Sequence, residues 1–267
     1  MGKAMEIISG VAVAPGATIT ALTMAAGDSL TIRNFVEGKA SLLTAFQSGQ
    51  TTLGQFQIRS PRLHDNNRGI QFLNPVAHSY APLWLPKLQE LVAQDQLFVG
   101  LSGSAGALDQ MLASLLIYYD NLPGVEGAFI TPEELKAQGV DIMTCVNTLT
   151  SATGGTYEGA VAINATNDLM KANTNYALVG YEISVAAHAV TWRGSDTGNL
   201  RVGGPARINA DFDTRNWFVA LSEMSGLACI PVFNSANKAN TFVEVVQDEN
   251  AAATTVTSIF VELGAAA

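Results

Sequence analysis

Gly54-Gln-Phe-Gln-Ile-Arg-Ser-Pro61 and Gly198-Asn-Leu-Arg-Val-Gly-Gly-Pro205 are the two stretches on which the fold reading turns. Laid over each other at an offset of 144 residues (61 to 205), they match Gly with Gly, Phe56 with Leu200, Ile58 with Val202 and Pro with Pro. The same offset, without a gap, sets Phe98-Val99 over Phe242-Val243 and Ser114-Leu-Leu-Ile117 over Ser258-Ile-Phe-Val261. Agreement of distant windows on one offset is the mark of an internal repeat. The chain of 267 residues is therefore read as a duplicated unit.

Each unit reads as β. Runs that alternate, or stay apolar for four to six residues, are separated by Gly, Asn, Asp and Pro clusters, as strands joined by turns require. Examples are Ser29 to Phe35, Gln55 to Arg59, Ala177 to Ser184 and Thr241 to Val246, and each half ends in an apolar strand, Ala113 to Tyr119 or Val256 to Leu263. Three segments read as helices. Thr131-Pro132-Glu133-Glu134 offers an N-cap, a first-turn proline and carboxylates at the positive end of the helix dipole. Asp213 to Met224 has its own cap and a stop at Gly226, and Pro82 to Val92 is the third. The expected organisation is an N-terminal β-barrel over 1–122, a connector with a short helix over 123–140, and a C-terminal β-barrel over 141–267.

Composition bounds the role. Only 14% of residues are charged against 48% hydrophobic, whereas soluble domains average about 25% charged. Much of the surface is thus expected to lie under neighbours. A net charge of −9, with no basic terminus, opposes direct binding of nucleic acid, which needs a patch of Lys and Arg. No apolar run reaches the roughly 18 residues of a membrane span. Glu6 interrupts what would be a signal peptide, so Met1 to Ile8 is read as the first strand and the protein as made in the cytoplasm without secretion.

With these features the whole chain resembles the double jelly-roll major capsid proteins of tailless icosahedral viruses, the membrane-containing phages and adenovirus-like viruses. The resemblance lies in architecture: tandem eight-stranded barrels, a helix between late strands, and an apolar final strand. It implies a structural coat protein that self-assembles as pseudo-hexagonal homotrimers into the virion shell. The implied partners are further copies, other capsid proteins such as a vertex protein, and a lipid membrane beneath the shell. An alternative is a carbohydrate-binding or receptor-binding β-sandwich, a spike or cell-surface lectin. No catalytic, cofactor or metal site is expected.

The residues that could carry chemistry are few. Gly27-Asp28-Ser29-Leu30 matches the opening block of GDSL esterases, but their mechanism needs a late Asp-x-x-His, and His64, His78 and His188 all lack the Asp. A Gly-Asp turn feeding the strand Ser29 to Phe35 is the preferred reading. The histidines also lack the His-x-His spacing of a cupin metal site; His188, in Val185-Ala-Ala-His-Ala-Val190, is read as a hydrogen-bonded barrel histidine. Asp211 and Asp213 could face a cation, with Asp213 better used as a helix cap. Cys145 and Cys229 are read as buried free thiols, and Trp84, Trp192 and Trp217 as core or interface anchors. Gly100 to Gly106 lacks the Lys-Ser/Thr of a phosphate loop, and Asn164-Ala-Thr166 is a sequon that matters only on secretion.

Overall fold

The computed structural model describes residues 2–25, 27–35, 37–49, 54–63, 66–74, 83–103, 110–150, 156–185, 187–206, 213–247 and 253–264. The first half contributes β1 (Gly2–Val13), β2 (Thr20–Ala21), β3 (Thr23–Met24), β4 (Ala40–Gly49), β5 (Gly54–Arg59), β6 (Ile70–Asn74), β7 (Leu83–Leu91), β8 (Phe98–Leu101) and β9 (Gln110–Leu122). Then come β10 (Phe129–Ile130), α1 (Pro132–Gln138), β11 (Gly139–Leu149), β12 (Tyr157–Ala162), β13 (Asn175–Ile183), β14 (Ala189–Arg193), β15 (Val202–Pro205), α2 (Trp217–Ser225), β16 (Ile230–Asn234), β17 (Phe242–Val246) and β18 (Thr254–Leu263). The protein is mostly β. No helix among the described residues is long and apolar enough to cross a membrane, which says nothing about strands.

The strands form four sheets, ordered β3-β1-β9-β4-β7, β2-β8-β5-β6, β10-β16-β13-β18-β11 and β12-β17-β14-β15. All their pairings are antiparallel. Each sheet draws its strands from one half only. Position for position the halves agree: β1-β9-β4-β7 runs as β11-β18-β13-β16 does, and β2-β8-β5-β6 as β12-β17-β14-β15 does. Within each half two sheets face one another. Met111 of β9 lies against Gly54 of β5 in the first, and the Trp192 indole of β14 donates to Ser258 Oγ of β18 at 2.9 Å in the second.

The agreement corrects the register expected from sequence. Phe98 and Phe242 do open equivalent strands, β8 and β17, at the offset of 144. Gly54 to Arg59 and Val202 to Pro205 do not correspond, because β5 is third in its sheet and β15 fourth. The true counterpart of β5 is β14: Arg59 pairs with Phe98 as Arg193 pairs with Phe242, an offset of 134 (59 to 193). Both arginines also lie over those rings, at 4.0 and 5.3 Å. A glycine and a proline at matching spacing, common wherever turns flank short strands, misled the comparison. Ser114 and Ser258 do lie in equivalent strands, but on opposite faces, since Ser114 meets His188 of the other half while Ser258 meets Trp192 within its own. With a side-chain period of two, a one-residue slip is enough to do this.

Two of the three helices form where expected. At α1 the Thr131 hydroxyl accepts from the Glu134 N–H at 3.2 Å and the Glu134 carboxylate accepts from the Thr131 N–H at 2.8 Å, a reciprocal capping box. Thr131→Ala should therefore cost about 1 kcal/mol in denaturant titration, with Thr131→Ser near wild type. Asp213 caps a short 3-10 turn, Thr214–Asn216, that leads into α2, and Gly226 ends α2 at φ 71°, a left-handed conformation that favours glycine.

The third expected helix is instead the edge strand β7, so over 83–91 the first half lacks the helix foreseen between its late strands; 75–82 lie outside the described residues. Leu42 pairs with Gln89 and Thr44 with Trp84, leaving four strand residues opposite Leu43 alone. Pro86 falls in that bulge at the sheet edge, where the ladder needs no N–H from it. Ser29 to Phe35 also departs from expectation: it makes an isolated bridge, Thr31 with Gln96, rather than a strand. Its Ser29 hydroxyl accepts from the Thr31 N–H at 3.1 Å, a local turn that takes up an N–H a ladder would use.

Candidate functional site

One set of buried polar groups lies on the seam between the two halves. On the first half, the outer face of β1, β9 and β4 presents Ser9, Ser114, Phe46 and Ser48, all buried. His188, just before β14, reaches into that face from the second half and is completely buried. Its Nδ1 meets Ser48 Oγ at 2.7 Å, its Nε2 meets Ser114 Oγ at 2.8 Å, and Ser114 continues to Ser9 Oγ at 2.6 Å. Phe46 packs on the ring at 5.0 Å between centroids. Burial pushes the imidazole down to about 3, against a raising interaction with the Ala113 backbone. The ring is thus neutral at ordinary pH, with one nitrogen donating to a serine and the other accepting.

A charged cluster lies beside it. Asp28 of the first half accepts from the Ser9 N–H at 2.7 Å and the Tyr157 hydroxyl at 2.8 Å, and pairs with Arg201 Nη1 at 3.2 Å. Arg201 also pairs with Glu244 at 2.8 Å, and Glu244 with Arg193 at 2.9 Å, so two carboxylates and two guanidinia balance within a few ångströms. The Arg201 guanidinium stacks over the Tyr157 ring at 3.9 Å, and the Arg201 carbonyl accepts from the Ile7 N–H at 2.9 Å, joining the free edge of β1 to the second half. Burial raises the Asp28 carboxyl to about 6, with Ser9, Tyr157 and Arg201 pulling it back. A satisfied polar cluster of this kind fixes relative position.

The residues singled out from sequence take ordinary places. Ser29 is exposed, its hydroxyl engaged by Thr31, while the serines that His188 meets are Ser48 and Ser114. Cys145 and Cys229 are buried and unbridged, and burial raises both thiols, to about 11 and about 12. Trp192 and Trp217 are fully buried. Asn164 lies in the turn after β12. His64, His78, Asp211, residues 104–106 of the glycine-rich stretch and the Trp84 side chain lie outside the described residues.

Most seam residues escaped the sequence reading. Arg193, Glu244 and Glu6 did leave a trace: each is a charge inside or ending an apolar strand in a chain poor in charge. Glu6 proves to be buried, held by the Arg33 guanidinium at 2.7 Å and the Tyr119 hydroxyl. The serines carried no such signal.

No protein-family model and no curated protein matches the chain. Among solved structures, PBSX exported protein XepA is similar at 11% identity and TM-score 0.24, over 96% of this chain and 86% of that one. The STIV MCP is similar at 9% identity and TM-score 0.20, over 99% and 97%. A T=1 Penaeus vannamei nodavirus structure is similar at 15% identity and TM-score 0.22, over 97% and 98%. Likenesses at this level do not assign a function.

Proposed function

We propose that this chain is a shell-building coat protein made of two tandem jelly rolls, residues 1–122 and 141–267 joined by 123–140, that assembles as homotrimers in a virion. The observation that carries the reading is the repeated strand order: four strands, first, last, third and sixth of eight in kind, faced by the other four, and the same again in the second half. A sheet order of that form is what two interlocked Greek keys produce. The buried seam supports the reading further, because His188, Asp28, Arg201 and Glu244 hold the two sandwiches as one rigid block, as a tile in a curved shell requires. Other capsid proteins and a membrane beneath the shell are partners of the same proposal, meeting faces that the trimer leaves open.

Negative-stain electron microscopy of the purified protein tests this. Closed shells, hexagonal sheets or discrete three-lobed particles are the expected result. A strictly monomeric protein that binds glycans on an array would overturn it in favour of a lectin-like sandwich.

A further inference from the structure

We propose that the junction of the two halves carries a binding pocket for a small monocarboxylate with a short apolar tail. The site lies within one chain. It goes beyond the shell-building reading and does not depend on it.

A cavity of about 400 Å³ opens where the loop over 30–35, the connector and the turn before β15 meet. Small-ligand sites run from roughly 300 to 1,000 Å³. The buried part of its wall is apolar and is drawn from both halves. Leu122 ends β9, Val125 belongs to the connector and Leu200 precedes β15, and all three are buried. Gly198 lets the second half come this close: it sits at φ 62°, and a Cβ there would stand 2.7 Å from Val125 Cγ1. Pro123 and Asn34 form an exposed rim.

One end of the cavity is cationic. Arg33 lines it, with its side chain 48% exposed. The Arg33 Nε donates to the buried Glu6 carboxylate at 2.7 Å, which the Tyr119 hydroxyl also joins, and the Arg33 N–H donates to that hydroxyl at 3.4 Å. The neighbours of Arg33 are pinned as well. The Ile32 N–H donates to the Asp95 carbonyl at 2.8 Å, the Ile32 carbonyl accepts from the Gln94 N–H at 3.0 Å, and the Phe35 ring packs on Tyr119 at 6.2 Å. The guanidinium is thus held from behind, and its Nη atoms make no bond among the described residues. No carboxylate lines the cavity to compete for them.

A guanidinium only donates, and its paired Nη groups match the two oxygens of a carboxylate. Inorganic phosphate would match that fork and leave the Leu and Val wall unused. An alcohol would use the wall and leave the fork unmatched, and an ammonium would be repelled. A monocarboxylate with a short apolar tail satisfies both parts, and the fixed arginine loses little freedom on binding it. Because the wall needs both halves in place, the ligand binds the folded chain and raises its melting point with concentration.

The probe is hexanoate, added to the full chain and followed by saturation-transfer NMR and thermal melting, with hexan-1-ol, hexylammonium and acetate as controls. Hexanoate should bind and raise the melting point, and each control should bind at least about tenfold more weakly. Arg33→Lys keeps a cation beside Glu6 but loses the fork, and should weaken hexanoate about tenfold while leaving hexan-1-ol unchanged. Asn34→Trp fills the mouth with an indole and should abolish the hexanoate signal without lowering the melting point of the free protein, since Asn34 is exposed. Should that variant melt early, Pro123→Glu at the same rim sets a carboxylate against the ligand and should weaken hexanoate alone. A wild type that ignores hexanoate, that binds hexan-1-ol as tightly, or whose hexanoate binding survives in both rim variants overturns the assignment. None of these results touches the assembly reading, which electron microscopy decides separately.

Discussion

Replacing Trp192 by alanine should lower stability by about 3–5 kcal/mol, the range found when a large aromatic is cut from a core that cannot close around the space. Trp192 is fully buried on β14, packs against Tyr181 at 5.1 Å and Phe218 at 6.1 Å between centroids, and donates to Ser258 across the sandwich. It ties both sheets of the second half to α2. Trp192→Phe retains most of the packing but leaves the Ser258 hydroxyl without its indole donor, and should cost about 1–2 kcal/mol. Urea titration followed by far-ultraviolet circular dichroism measures both. A loss below 1 kcal/mol for the alanine variant would show that the second sandwich has little need of its aromatic centre.

The second large effect concerns His188 and depends on pH. At neutral pH His188→Gln should cost about 2 kcal/mol, because glutamine cannot satisfy Ser48 and Ser114 with the same geometry. The folded imidazole is lowered to about 3 from an unfolded value of 6.5. The unfolded chain therefore binds the extra proton first as pH falls, and the stability present above 6.5 drains away down to about 3. The slope is at most about 1.4 kcal/mol per pH unit. Asp28 works in the opposite sense: raised to about 6 from 3.8, it contributes most below 3.8 and loses that contribution as pH climbs to 6. Between about 6 and 3.8 the two slopes oppose, so the wild-type curve should be flatter there than either group alone would make it. The glutamine variant keeps only the Asp28 slope. Its deficit relative to wild type should consequently shrink as pH drops from 6.5, and should reverse in sign before pH 3. A deficit that stayed constant across that range would show that the imidazole is not held neutral in the folded seam.

Sequence patterns disclosed the β character, the final strands and two of the three helices, because these depend on local periodicity and on capping residues such as Thr131 and Asp213. They failed where tertiary pairing overrides local preference. Leu83 to Leu91 has helical spacing, yet β4 offers it a ladder and a bulge that accepts Pro86. The repeat was recognised at the right scale but misaligned at Gly198 to Pro205, since the spacing between strands differs in the two halves: 134 residues separate β5 from β14 and 144 separate β8 from β17. The seam was nearly invisible. Ser9, Ser48 and Ser114 are ordinary strand serines until a histidine more than 70 residues away in sequence is folded onto them.

Placement of His188 has a consequence for how the protein is made. A nascent chain leaving the ribosome completes β9 at Leu122, but the imidazole that closes over Ser48 and Ser114 follows some 66 residues later (122 to 188). At the usual pace of synthesis, that interval is on the order of ten seconds. Throughout it the emerging sandwich shows a wet, unsealed flank containing Met5, Ile7, Phe46 and Leu116. A fragment truncated after Leu122 should therefore be a sticky, chaperone-bound species, and the two lobes become soluble partners only once translation has passed the histidine.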